Sequence, residues 1–316
     1  MATYKEIHGT SIEVLASDPS NPVIGQIWYN TTSQTLKGLE FAAAAWATGG
    51  NLPTARREQG GAGTQTAGLV FGGFPPTNAT EEYDGSAWTA GGNLGTARFK
   101  LAGAGTQTAG LAFGGEIAPE TTATEEYNGT AWTGGGALGT ARDYLAGCGT
   151  QTAALAIGGT PPLGNSLTEE YNGTAWTVGG AMPIEAKLSA AGTQTAGLGF
   201  AGYPVPASGN KAFEYDGSSW TAGGNLGTGR DRGAGAGTQT AALAFGGFGP
   251  PDRNLAEQYD GTSWTSTSNM IVGSRLLAGF GTQSAALAAG GENPAELTRT
   301  EEFTGAGPVT VTISGS

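Results

Sequence analysis

Two sets of carboxylates in this sequence have the residue types to do chemistry. One set is paired and repeated: Glu81-Glu82, Glu125-Glu126, Glu169-Glu170 and Glu301-Glu302. The other stands outside the repetition: Glu58, Asp143, Glu185 and Asp231. Two carboxyl groups can hydrolyse a glycosidic bond, one as acid and the other as base or nucleophile. An active site, however, is made once, and adjacent strand residues point to opposite faces. The repeated pairs therefore read as structural, with one glutamate solvated and the other set to pair with an arginine of a neighbouring unit. Only the unrepeated set could serve a glycosidase or lyase, and only if it converges.

Other chemistries find less to work with. His8 is the single histidine, which leaves neither a Ser-His-Asp site nor a histidine metal site. Cys148 is the single cysteine and stands where another repeat has Ala104, so it reads as a small buried filler. Glycine-rich runs such as Gly233–Gly237 lack the lysine and strand-to-helix context of a phosphate loop. A net charge of −12 argues against general nucleic-acid binding. No cofactor or metal is expected, and no stretch reaches the length of a membrane span.

What must position any site is a repeat of about 44 residues. Gly-Thr-Gln begins at Gly63, Gly105, Gly149, Gly192, Gly237 and Gly281, and a tryptophan recurs at Trp46, Trp88, Trp132, Trp176, Trp220 and Trp264. An aromatic residue precedes each tryptophan by five: Phe41, Tyr83, Tyr127, Tyr171, Tyr215 and Tyr259; Phe303 is a seventh, with no tryptophan after it. Each unit reads as four strands. The first is an Ala/Gly-rich run ending at Gly-Thr-Gln, whose small side chains suit a crowded central channel. The second alternates large and small residues, as in Leu69-Val70-Phe71, so that neighbouring sheets can interlock. It ends in Gly-Gly, where positive φ and close backbone approach are open. The third is Thr-Glu-Glu-Tyr, and the fourth carries the tryptophan. Asp84-Gly85, Asn128-Gly129 and their equivalents between the last two predict two-residue type I′ hairpin turns.

A four-stranded unit of this length is the size of a propeller blade. Gly-Gly after the second strand, Tyr on the third, Trp on the fourth and an Arg ahead of the next unit (Arg56, Arg98, Arg142, Arg230) resemble the kelch motif over roughly residues 46–303. The pattern departs at Ala201-Gly202, and at Glu185 and Ser274 where arginines would fall. The last three-strand set lacks a Trp strand, and the Trp46 strand lacks the strands before it. Joining them closes the ring. The fold expected is an all-β, six-bladed, kelch-like β-propeller with a short N-terminal arm (residues 1–36) ahead of a propeller spanning 37–316. The alternative is seven blades, with Ile27–Asn30, Thr35–Phe41 and Val309–Ile313 contributing to the seventh.

The arm, through Asp18-Pro-Ser-Asn-Pro-Val-Ile-Gly-Gln-Ile-Trp28-Tyr-Asn30, resembles a segment of tail-fibre and other virion structural proteins of tailed bacteriophages, particularly those of marine bacteria. That resemblance implies a virion protein made in the host cytoplasm, attached to other virion proteins by its arm and exposed on the particle. No basic-then-apolar signal peptide is expected, nor membrane insertion.

Loops that join the second strand to the third, and each unit to the next, share one face and vary, whereas the other face is nearly constant. Nine of the fourteen Lys and Arg residues lie just ahead of the first strands: Arg56, Arg57, Arg98, Lys100, Arg142, Lys187, Arg230, Arg232 and Arg275. These arginines either tie blades together by pairing with the third-strand glutamates or gather positive charge at one channel mouth. On the second reading the ligand-binding residues are Arg57, Lys100, Arg142, Arg232 and Arg275, with Phe74, Phe99, Tyr144, Tyr203 and Phe248 as stacking surfaces. The ligand expected there is anionic or rich in hydroxyls. The function expected is that of a non-enzymatic tail-fibre or surface component, not an enzyme, binding a host-surface glycan or protein. A purely structural or decorating subunit is the alternative, and a propeller glycosidase or lyase a third.

Overall fold

The computed structural model describes residues 12–160, 165–185, 187–203 and 209–313. His8, the first eleven residues of the arm and the loop after Tyr203 (204–208) lie outside the described residues. Every regular element among them is a strand, and the strands form seven four-stranded sheets.

Six of these sheets belong to residues 45–304. The first is made of Gly60–Thr64, Ala67–Phe71, Thr80–Tyr83 and Trp88–Ala90, paired in chain order. Four more repeat it from Ala102, Ala146, Lys187 and Ala234. The sixth takes Ala278–Gly281, Ala285–Ala289 and Thr300–Thr304 and is completed by Ala45–Thr48, with Trp46 opposite Phe303. Each innermost strand packs on the next, and that of the sixth sheet packs on that of the first. The channel therefore has six blades around it. The seventh sheet uses the strands that the seven-blade alternative named, so the count of sheets is that of the alternative.

The alternation of large and small residues sets how blades interlock. Phe71, Phe113, Phe200 and Phe245 from second strands fill the space above Gly103, Gly147, Gly235 and Gly279 on the following blade's first strand, where a β-carbon would come within 2.4–2.7 Å of the ring. Trp132, Trp176 and Trp264 pack against those same phenylalanines at centroid distances of 4.8, 4.8 and 5.1 Å. Leu69, Val70 and Phe71 are all fully buried, since one face meets each neighbour. At the end of the second strand, Gly72 and Gly73 take φ of 64° and 114°. A β-carbon on Gly72 would meet the Arg98 carbonyl at 2.6 Å, so the glycine lets two blades touch backbone to backbone.

The repeated polar residues are spent between and within blades. Tyr127 donates its hydroxyl to Glu82 of the preceding blade at 2.6 Å, and Tyr171, Tyr215 and Tyr259 repeat the bond to Glu126, Glu170 and Glu214. The Gln of each Gly-Thr-Gln donates to two carbonyls of the blade before it, as Gln107 does to Gly68 and Tyr83. The other glutamate of each pair meets an arginine of its own blade, not of a neighbour: Arg98–Glu125 at 3.0 Å, Arg142–Glu169 at 2.9 Å, Arg230–Glu257 at 2.5 Å and Arg56–Glu81. Neither glutamate is thus a solvated residue.

The hairpin turns differ from expectation. Tyr83 pairs with Trp88, so the loop holds four residues rather than two. Asp84 accepts from the backbone N–H groups of Ser86 and Ala87, and only Gly85 has positive φ. A type I′ turn needs positive φ at both central residues. Here the Asp or Asn side chain closes the turn instead.

The second unit comprises 1–44 and 305–316. Its described strands run in the order Glu13–Leu15, Ile27–Asn30, Thr35–Ala42, Gly307–Thr312, the first pair parallel and the others antiparallel. The division therefore falls at 44/45 rather than 36/37. Thr35–Ala42 is one strand bonded on both edges, and it draws the C-terminal strand out of the propeller unit. Buried Trp28 and Asn30 both donate to Asp18, at 3.0 and 2.7 Å, and Lys37 pairs with it at 2.8 Å. Those bonds hold the Asp18 carboxyl down at about 2.

Candidate ligand site at the channel mouth

In five blades the connection into the blade bridges to the loop between that blade's second and third strands. Arg57 bridges Phe74, Phe99 bridges Glu116, Asp143 bridges Thr160, Asp231 bridges Phe248 and Arg275 bridges Glu292. This pairing puts the two variable loop sets on one face.

Just inside these bridges, five equivalent residues turn into the left-handed region: Glu58, Lys100, Tyr144, Arg232 and Leu276, with φ between 49° and 59°. None is a glycine, and such a conformation costs an L-residue about 1 kcal/mol or more. It is held because backbone bonds run from blade to blade. The Lys100 N–H donates to Glu58 O at 2.8 Å, Tyr144 to Lys100 at 2.9 Å, Leu276 to Arg232 at 2.8 Å and Glu58 to Leu276 at 2.9 Å. In the fourth blade Lys187 takes the place, where a register shift between Lys187 and Ser189 interrupts the first strand. One backbone position thus carries Glu, Lys, Tyr, Lys, Arg and Leu in six blades.

These six side chains rim a cavity of ≈ 380 Å³. Leu101, Leu145, Leu188 and Leu277, each next in sequence to a rim residue, give it an apolar floor that Gln59 and Gly233 interrupt; Tyr203 and Asp231 complete the wall. Asp231 is 4% exposed and Gln59 6%, and Asp231 Oδ1 and Gln59 Oε1 are buried with no hydrogen-bond partner. Burial pushes the Asp231 carboxyl up. Tyr144 donates its hydroxyl to Glu58 at 2.5 Å, and burial followed by that bond pushes its own pKa up. Lys187 lies over the Tyr144 ring at 4.1 Å and the Tyr203 ring at 5.9 Å, and burial draws its ammonium down. Burial also opposes the charge of Lys100, but Glu116, Asp143 and Glu58 outweigh it and raise its pKa.

Four of the ten sequence-predicted binding residues line the cavity: Lys100, Tyr144, Tyr203 and Arg232. Arg57, Arg275, Phe74, Phe99 and Phe248 form a separate outer tier. Arg57 stacks on Phe74 at 4.4 Å and pairs with Glu292 at 2.9 Å and with Glu296. Arg275 lies over Phe248 at 4.9 Å and pairs with Asp252 at 2.8 Å and with Glu292. Arg142 is a correction. It is 0% exposed, donates to the carbonyls of Gly158 and Leu167 as well as to Glu169, and presents nothing to a ligand. Arg56, Arg98 and Arg230 are buried in the same way, so the mouth is far less positive than the count of basic residues implied. Binding-residue prediction passed over Lys187, Gln59 and the leucine floor. The signal was available in the position at the entry to the first strand, which carries Glu58, Lys100, Tyr144, Lys187, Arg232 and Leu276 where the strand that follows is nearly constant.

Of the unrepeated carboxylates, Glu58 and Asp231 line the cavity. Asp143 is buried behind it, 3.4 Å from Lys100, and Glu185 is exposed elsewhere. Two of the four unrepeated carboxylates therefore line one cavity.

No family model matches this sequence, and no curated protein matches it. Among solved structures, one described as "Structure of YjhT" is similar with a TM-score of 0.68 at 14% identity, over 82% of this chain and 99% of that one. The expectation that the chain is not an enzyme is withdrawn: a YjhT-like propeller fold with two unrepeated carboxylates, Glu58 and Asp231, lining one cavity does not exclude chemistry there. At this identity the likeness shows the fold alone: the chain shares its β-propeller with YjhT.

Proposed function

We propose that the channel mouth binds a carbohydrate, and that the propeller is the scaffold presenting this cup. One observation carries the reading. A single backbone position, left-handed in five blades, bears five kinds of side chain in six blades, all around one cavity, beside two buried oxygens that lack a donor. Positions that serve a repeat fold stay constant; this one is free to be shaped to a partner, as loops on rigid scaffolds commonly are. Sugar hydroxyls supply the missing donors to Asp231 and Gln59. Tyr144, Tyr203 and the leucine floor suit the apolar faces of a sugar ring, and the volume fits a small ligand or chain end.

The setting we propose is the surface of a virion, as a tail-fibre or other surface component bound to a host glycan and tethered by the N-terminal unit. The resemblance of the segment around Trp28 supports this. The test is a glycan array probed with the intact chain and with Gln59→Leu and Asp231→Asn, with bound glycans recovered for mass spectrometry so that turnover is read with binding. Selective binding lost in both variants is the expected result. Binding unchanged in both, with native melting curves, sinks the reading.

A further inference from the structure

We propose that the cup seats one anionic group of its glycan, a carboxylate or sulfate, between Lys187 and Arg232, while the sugar hydroxyls reach Asp231 and Gln59. This inference rests on the cup being the glycan site.

The partners of the basic residues lead to it. Three cations line the cavity: Lys100, Lys187 and Arg232. Lys100 is held by Glu116 and, at 3.4 Å, by Asp143. Among the described residues Arg232 has one ion pair, with Asp231 at 3.4 Å; it also lies over the Phe248 ring at 5.8 Å, and its side chain is 41% exposed. Lys187 has no carboxylate within ion-pair distance among the described residues; its neighbours are the two tyrosine rings. Burial lowers it first, and Arg232 and Lys100 repel it further against the attraction of Asp143 and Asp231. A half-buried ammonium in that position gains from an anion placed between it and the guanidinium, whose planar fork binds carboxylate or sulfate through two parallel bonds.

The carboxylates nearby do not occupy the seat. Glu58 is engaged by the Tyr144 hydroxyl, Asp143 accepts from Thr160, and Asp231 is 4% exposed in the cavity wall, with Arg232 3.4 Å away. The fourth blade is also the one that has dispensed with its buried ion pair. Phe213 stands where other blades have the arginine-bound glutamate, and Glu185 falls near the arginine position. Its lysine is therefore not committed to holding the blade together.

The experiment compares acidic oligosaccharides with their neutral counterparts on the intact chain by calorimetry. The probes are trigalacturonate, a hyaluronan tetrasaccharide and a chondroitin sulfate tetrasaccharide, each beside its carboxyl-reduced form, the chondroitin one desulfated as well so that every counterpart is neutral. The expected result is at least one acidic member bound about tenfold or more tighter than its counterpart, as a charge-assisted bond implies. Lys187→Met, which keeps the apolar stem, should abolish that preference and leave the neutral form bound as before; Lys187→Arg should keep it. Acidic and neutral forms bound alike would overturn the anion seat and leave the glycan cup standing. Equal losses for both forms in Lys187→Met would also overturn the seat, as a structural effect. No binding by any member would overturn both readings.

Discussion

Tyr127 reaches across a blade boundary to donate its hydroxyl to Glu82, and the same hydroxyl accepts from the Gly92 N–H at 3.2 Å. Tyr127→Phe removes both bonds and leaves a partly buried carboxylate short of a donor. A loss of about 1–3 kcal/mol is expected. Urea denaturation of the single variant, with the slope unchanged, is the check.

The same bonds set the alkaline limit. Tyr83, Tyr127, Tyr215 and Tyr259 are pushed up to about 12 from 10.0, by burial first and the neighbouring glutamate second. A group raised on folding contributes stability that is whole below its unfolded value and lost as pH climbs through the folded one. Melting temperature should therefore hold to about pH 10 and fall steeply by about pH 12, with phenolate absorbance rising in step. A flat profile across that window would contradict these bonds.

Asp18 makes the opposite prediction for the N-terminal unit. Its carboxyl is lowered to about 2 by Lys37, Asn30 and Trp28, so its contribution is present above the ordinary 3.8 and lost as pH falls toward 2. Amide exchange in Ile27–Asn30 should stay slow at pH 4 and accelerate near pH 2. Asp18→Ala should show the fast rates already at neutral pH, with propeller amides unchanged.

Arg142 and Glu169 form a buried pair whose removal by halves should be costly. Arg142→Met alone leaves an uncompensated carboxylate, worth about 3–5 kcal/mol of lost stability. The double variant Arg142→Met/Glu169→Phe imitates the fourth blade, where Phe213 replaces the glutamate, and should be milder than the single. Denaturation of both singles and the double closes the cycle; strict additivity would count against the pairing.

Removing residues 1–44 together with 305–316 takes away one compact unit and should leave the propeller monomeric, whereas removing 1–50 with 305–316 also takes the Trp46 strand. The longer deletion exposes the edge of Thr300–Thr304 and should aggregate. Light scattering of the two truncations separates the cases, and a monomeric longer deletion would disprove the closure.

Much of this was legible because a repeat states its own rules many times. The count of Trp46 against Phe303 locates the closing strand, and the Leu-small-Phe alternation tells how blades interlock. Side-chain direction was not legible. Arg56 and Arg57 are neighbours, yet one is buried against Glu81 and the other stacks on Phe74 in the outer tier, because adjacent residues face opposite ways. Counting both as mouth charge overstated it. Asp84-Gly85 misled for a related reason. The dipeptide fits a two-residue turn, but the aspartate side chain finds two backbone donors and stabilises a longer one. Lys187 was hidden by the irregularity of its own blade, whose motif residues are the ones that changed.

The strand around Trp46 has a temporal consequence. Its partner, Thr300–Thr304, is roughly 250 residues later in the chain, and a ribosome adds about 5–20 residues per second. For tens of seconds the nascent protein therefore carries an apolar, tryptophan-bearing strand with no mate, while five complete blades emerge behind it. Those blades can fold locally as hairpins, but the circle itself is sealed only once Thr300–Thr304 has been made.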